Sequence, residues 1–143
     1  MPARPKTLVL DTWAVIAFYG EEPAGEDVAR IIAEANERGT PIWLSVVNAG
    51  EVWYIIARRT SAAEADATIE ELRSLGIKFD DVEWKITRQA ATFKSKHAMS
   101  YADAFAAALA IQKNAHLVTG DREFKRVEGP VKIRWLPMEI CSR

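Results

Sequence analysis

Cysteine is almost absent from this chain. The single one, Cys141, lies two residues from the end and reads as a tail residue. One thiol cannot form an internal disulfide, and a zinc centre built from cysteines is excluded. A reducing compartment is the simplest reading, so a cytoplasmic location is expected. Long apolar runs are also missing: nothing approaches the roughly 20 residues that span a bilayer. The first residues, Met1 to Thr7, are polar and proline-containing, without the apolar stretch of a signal peptide. An excess of one charge is lacking too, with 19 Lys and Arg against 20 Asp and Glu. A strongly basic balance would have marked a nucleic-acid binder, but a sum near zero does not say where the charges sit. Only two histidines occur, His97 and His116, and both are expected at helix ends or core edges. No internal repeat is found.

What is present suits one globular domain. The chain has 143 residues, 49% of them hydrophobic, enough to build one core and too few for two comfortable domains. The expectation is a single unit over 1–143 with its core at about 7–136. Short apolar runs read as strands: Thr7–Leu10, Ile42–Leu44, Ile77–Val82, His116–Thr119 and Val131–Leu136. Helical spacing fills the intervals. Thr12–Tyr19 can be helical, and residues 20–25 carry breakers. Val28, Ile31, Ile32 and Ala35 then recur along a helix closed by Gly39 and Pro41. Ser45 can cap a helix running to Arg59. Ser61 with Glu64 forms a capping-box pattern for the next, which Gly76 ends. Glu83–Lys96 and Tyr101–Asn114 complete the set, the latter capped by Ser100, and residues 123–127 suit one helical turn. Strands alternating with helices predict an α/β fold: a three-layer α/β/α sandwich around a twisted, mostly parallel sheet.

Twenty acids occur, so position must sort them. Asp11 and Asp121 each end a strand, and ligands of open parallel sheets bind outside the carboxyl ends of the strands. The plainer alternatives are a helix cap for Asp11 and a Gly-Asp turn for Asp121, with Gly120 letting the backbone bend sharply. Glu51 lies mid-helix at the border of the apolar stripe, where an unpaired carboxylate is costly to desolvate; the plain alternative is an edge-of-face glutamate that snorkels to water or pairs with Arg58. Asp103 begins a helix whose same row carries Ala106, Ala107 and Ala110. Small residues let that row lie close to a neighbour, although an acid at a helix start is also favoured by the dipole. Together the four suit a hard divalent cation such as magnesium or manganese, which takes oxygen ligands. Without a cation, such a group of like charges repels itself and raises some of its pKa values.

Four short motifs carry a resemblance: Asp11-Thr12 at a strand end, Asn48-Ala49-Gly50-Glu51-Val52 on a helix, Asp103-Ala104, and Thr119-Gly120-Asp121 followed by Phe124. In their order and spacing, from Thr7 to Leu136, the sequence resembles the PIN-domain ribonucleases, and among them the toxins of VapBC-type toxin–antitoxin pairs. The resemblance implies a twisted parallel sheet between helices with the acids gathered at its carboxyl end. It implies Mg2+ or Mn2+ bound by Asp11, Glu51, Asp103 and Asp121, hydrolysis of RNA phosphodiesters, homodimerisation and inhibition by a small antitoxin protein. Some relatives carry a further aspartate two positions after the last acid; here that position holds Glu123, which leaves the number of metals open.

Thr12 and Thr119 are candidates to support the acids, with ordinary packing as the alternative. Positive charge for an RNA backbone could come from Arg122, Lys125, Arg126, Arg58, Arg59, Lys94 or Lys96. Trp13 could stack on a base, although core packing suits it better. Two other functions compete. A phosphatase using Asp11 as nucleophile is disfavoured by Trp13 at the position where such enzymes carry a second aspartate. A non-catalytic module binding metal or RNA is also compatible with the same acids. The helices 45–59 and 61–75 can form a hairpin; the resemblance implies dimerisation through it, and the plain alternative is that both helices simply cover the sheet.

Overall fold

A computed structural model describes residues 6–20 and 23–138. Cys141 and most of the polar amino-terminal segment lie outside the described residues. The elements run β1 (Leu8–Leu10), α1 (Thr12–Phe18), α2 (Pro23–Arg38), β2 (Ile42–Ser45), α3 (Val46–Arg59), α4 (Ala62–Ser74), β3 (Ile77–Asp80), α5 (Trp84–Lys96), α6 (Tyr101–Gln112), β4 (His116–Thr119), a 3-10 helix (Arg122–Val127) and β5 (Lys132–Trp135). The expected α/β sandwich is borne out. All five strands pair in parallel, in the order β3-β2-β1-β4-β5.

β1 is central and buried on both sides, which is why its three residues are all apolar rather than alternating. One face packs Leu8, Leu10, Ile42, Leu44 and Val118 against α1, α2, α3 and α4. The other packs Val9 and Leu117 under the alanine-rich α6 and under α5. Caps fall where the sequence predicts them: Ser45, Ser61 and Ser100 accept from the N–H groups of Val47, Glu64 and Asp103 at 3.2, 3.1 and 3.1 Å.

The segment 20–25 departs from expectation. α2 begins at Pro23, a residue that suits the first helical position, and Gly25 lies inside the helix. A Cβ at Gly25 would stand 2.3 Å from the carbonyl oxygen of Ala17. Glycine therefore serves close packing of α2 on α1 rather than breaking the helix.

The topology fixes where a ligand can sit. From β1 the chain builds outward to β2 and β3, then crosses through α5 and α6 to β4 on the opposite flank of β1. Between β1 and β4 the direction of winding reverses. Loops at the carboxyl ends of these two strands diverge and leave a crevice.

Candidate active site

Register sets the first contact. Leu10 pairs with Leu44 on one side and Val118 on the other, so Asp11 emerges level with Ser45 and Thr119. Asp11 is wholly buried. Its Oδ1 accepts the Ala14 N–H at 2.8 Å, capping α1, and its Oδ2 accepts the Thr119 hydroxyl at 2.6 Å. Thr119 Oγ1 in turn accepts the Asp121 N–H at 3.0 Å. The helix-cap alternative is therefore realised, and it holds the carboxylate at the crevice floor. Burial is the largest influence on Asp11 and drives its pKa from 3.8 up to about 8. The two hydrogen bonds oppose that rise, and the charges of Asp103 and Asp121 add to it.

Asp121 caps the 3-10 helix by accepting the Glu123 N–H at 3.0 Å. Gly120, expected to ease a sharp turn, does not adopt a positive φ. Its role is space: a Cβ there would lie 2.3 Å from the Trp13 ring. Trp13 packs on the core from the start of α1 and covers the backbone beside Asp121.

Glu51 projects from α3, half-buried, and accepts a long bond from the Tyr54 hydroxyl at 3.4 Å. Arg58 does not pair with it; the guanidinium lies over the Tyr54 ring at 4.9 Å. Asp103 stands in the first turn of α6. Its pKa rises from 3.8 to about 6, first through burial and then through Asp121, with Glu51 and Glu123 adding and the Ser100 hydroxyl opposing. Glu123 itself faces outward and pairs with Arg126 at 3.0 Å.

Glu51, Asp103 and Asp121 line one open cavity of about 440 Å³, together with Thr12, Trp13, Ser100 and Arg59. Asp11 lies beneath its floor. A larger cavity of about 650 Å³ opens at the other end of the sheet, lined by Lys6, Arg38, His116 and Arg134. Size does not decide between them, because the acids that influence one another belong to the smaller one. Among the described residues, no three His, Cys, Asp or Glu side chains already converge on a point that could hold a metal ion. The four acids are gathered but not aimed at one centre. Their donor chemistry and mutual repulsion fit a hard cation.

Several expected bases are engaged elsewhere. Arg122 lies over Trp135 at 4.7 Å, and Lys94 donates to the Met99 carbonyl at 2.8 Å. Arg126 bonds to Glu123 and to the Ala98 carbonyl. Arg59 alone of the seven lines the cavity.

One polar residue was not singled out from the sequence. Asn48, wholly buried in α3, donates through Nδ2 to Thr12 Oγ1 at 3.1 Å and to the Ala102 carbonyl at 3.2 Å. Its Oδ1 is buried with no partner, a condition that costs about 1–3 kcal/mol. The signal was an amide one helical turn before Glu51 in an otherwise apolar stretch.

A family model described as PIN domain matches residues 8–130. No curated protein matches the chain significantly. Among solved structures, the Mycobacterium tuberculosis toxin VapC20, described as cleaving the sarcin-ricin loop, is 19% identical, with 85% of this chain and 95% of that one covered and a TM-score of 0.69. VapBC-1 from nontypeable Haemophilus influenzae is 20% identical over 90% and 97%, with a TM-score of 0.70. DNA-bound VapBC from Salmonella typhimurium is 16% identical over 90% and 97%, with a TM-score of 0.71. At these identities the likeness is one of fold.

Proposed function

This chain belongs to the PIN-domain family, and from that premise we propose that it is a metal-dependent endoribonuclease, the toxin of a toxin–antitoxin pair. The observation carrying the reading is that acids from four separate elements or their ends gather at the crevice between β1 and β4, where, after burial, Asp103 and Asp121 add to the raised pKa of Asp11, and Asp121 and Glu51 to that of Asp103.

Asp11, Glu51, Asp103 and Asp121 are the residues that would hold Mg2+ or Mn2+. Such a cation supplies an activated water and offsets charge developing on a phosphate. The remaining roles fall to the protein. Thr119 fixes the Asp11 carboxylate, Ser100 fixes the start of α6, and Trp13 over Gly120 shapes one wall. Arg59 is the cavity's cation and is suited to a phosphate of the RNA backbone. The expected products carry a 5′-phosphate and a 3′-hydroxyl, as attack by an activated water with the 3′-oxygen as leaving group would give. A phosphatase using Asp11 as nucleophile fits poorly, since Trp13 stands where such enzymes carry the second aspartate that serves as acid and base.

Two of the solved relatives are VapBC assemblies. That supports a cognate antitoxin as partner, with a homodimer and a cytoplasmic location completing the reading. No helix among the described residues is long and apolar enough to cross a membrane. The unconverged acids are what favours the second reading, a non-catalytic module.

One experiment separates the two. Purified protein is incubated with mixed RNA in Mg2+ or Mn2+, in excess chelator, and in chelator followed by restored metal. Cleavage that stops with chelation and returns with metal, leaving 5′-phosphorylated ends, is expected. Cleavage that persists in chelator, or 2′,3′-cyclic phosphate ends, would sink the metal-dependent scheme. No cleavage in any arm favours the binding module.

A further inference from the structure

Asn48 is buried at the junction of the three helices that carry or border the acids, and its bonds are directional. Nδ2 faces the Ala102 carbonyl, which can only accept. The amide orientation is therefore fixed, and the Nδ2 bond to Thr12 Oγ1 is a donation by Asn48. That settles the polarity of Thr12. Its hydroxyl accepts from an amide nitrogen that has no lone pair to offer in return, and Asn48 Oδ1 has no hydrogen-bond partner, so the Thr12 proton must turn elsewhere. Among the described residues the Thr12 hydroxyl has no acceptor in the protein, and Thr12 lines the cavity shared by Glu51, Asp103 and Asp121. The same amide holds Ala102, the residue before Asp103. One side chain thus sets a donor next to Asp11 and the position of the helix bearing Asp103.

The unpartnered Oδ1 is the second, independent observation. A leucine has nearly the shape of asparagine and would leave no orphaned acceptor at this site. Ala102 would not be orphaned either, since a carbonyl in the first turn of α6 also serves the helix. Packing alone therefore gives no reason for an amide here.

We propose that Asn48 is a positioning residue that acts through Thr12, holding the Thr12 hydroxyl as a hydrogen-bond donor to a non-bridging oxygen of the phosphodiester undergoing cleavage. This rests on the ribonuclease reading above. Thr12 is the group that touches substrate; Asn48 acts only by fixing it. A donor of this kind gains strength as negative charge grows on the phosphate, so its loss falls on turnover more than on binding.

The test is a double-mutant cycle on RNA cleavage, using Asn48→Leu, Thr12→Val and the pair, with Thr12→Ser as the conservative variant and thermal unfolding recorded for each. Asn48→Leu should lower kcat on the order of 10- to 100-fold, with KM changed by less than about threefold. Its melting temperature should be equal to or above that of wild type. Thr12→Val should fall to a similar level, Thr12→Ser should stay near wild type, and the double variant should be no worse than Thr12→Val alone. Three outcomes overturn the inference while leaving the ribonuclease reading in place. They are an Asn48→Leu enzyme within about twofold of wild type, losses that multiply in the double variant, and a loss that tracks a lowered melting temperature. A wild-type protein that cleaves no RNA in Mg2+ or Mn2+ overturns that reading and this inference with it.

Discussion

Asp11 gives up water entirely and keeps both oxygens hydrogen-bonded. Burial with no cation present pushes its pKa to about 8 from 3.8, so the folded, metal-free protein holds a proton that the unfolded chain releases. Between those two values the unfolded state gains charge while the folded state does not. Stability is therefore fully present on the acid side, below about pH 4, and is lost as pH rises toward 8. Asp103, raised to about 6, pulls in the same direction over a narrower window. Asp11→Asn keeps a cap acceptor for Ala14 and carries no charge. It should flatten this pH dependence, melt higher than wild type at pH 8 in chelator, and lose cleavage. Thermal unfolding across pH reads the first two, and a variant whose stability falls with pH as steeply as wild type would show that Asp11 is not the group responsible.

At the scale of elements, the strands and caps could be read from the sequence, because each depends on residues close together in the chain. Ser45, Ser61 and Ser100 all cap where expected. Positions whose meaning comes from a distant neighbour could not be read that way. Gly25 reads locally as a breaker and packs on Ala17; Gly120 reads locally as a turn and accommodates Trp13. Asn48 passed as one residue of a motif because its partners, Thr12 and Ala102, lie 36 and 54 positions away. The four acids were selected by their places at strand ends and on helices, and the structure does bring them together. Their failure to converge on one point involves side-chain rotamers that spacing does not encode. Gly120 offers a direct check at this scale. With a Cβ, Gly120→Ala must displace the Trp13 ring, since the contact would be 2.3 Å. We expect a loss of about 1–3 kcal/mol of stability, read by denaturant unfolding, together with reduced cleavage. A variant as stable and as active as wild type would mean that Trp13 can move aside freely.

For the whole molecule, the two ends of the sheet gather different mixtures of charge, with Arg59 among the acids of one and Glu34 among the bases of the other. The carboxyl end holds the acids, and the opposite end opens on Lys6, Arg38 and Arg134, whose neighbour His116 has its pKa lowered first by burial and then by Lys6, Lys132 and Arg134. The hairpin of α3 and α4 forms a flank, with Tyr54 43% exposed and Ile55, Ile56 and Ile69 only half-buried. We expect two copies to pair through this flank, giving twice the monomer mass by light scattering at micromolar concentration; a monomer there would remove the dimer from the proposed function. The bond from Thr119 to Asp11 joins residues 108 positions apart, and it has a consequence for how such a protein is made. A ribosome produces Asp11 108 residues before Thr119, so β1 waits through that interval for its second neighbour. The pocket closes only when the final crossover has emerged. A piece of this chain that stops short of β4 therefore lacks both the neighbour that pairs with β1 and the hydroxyl that fixes Asp11.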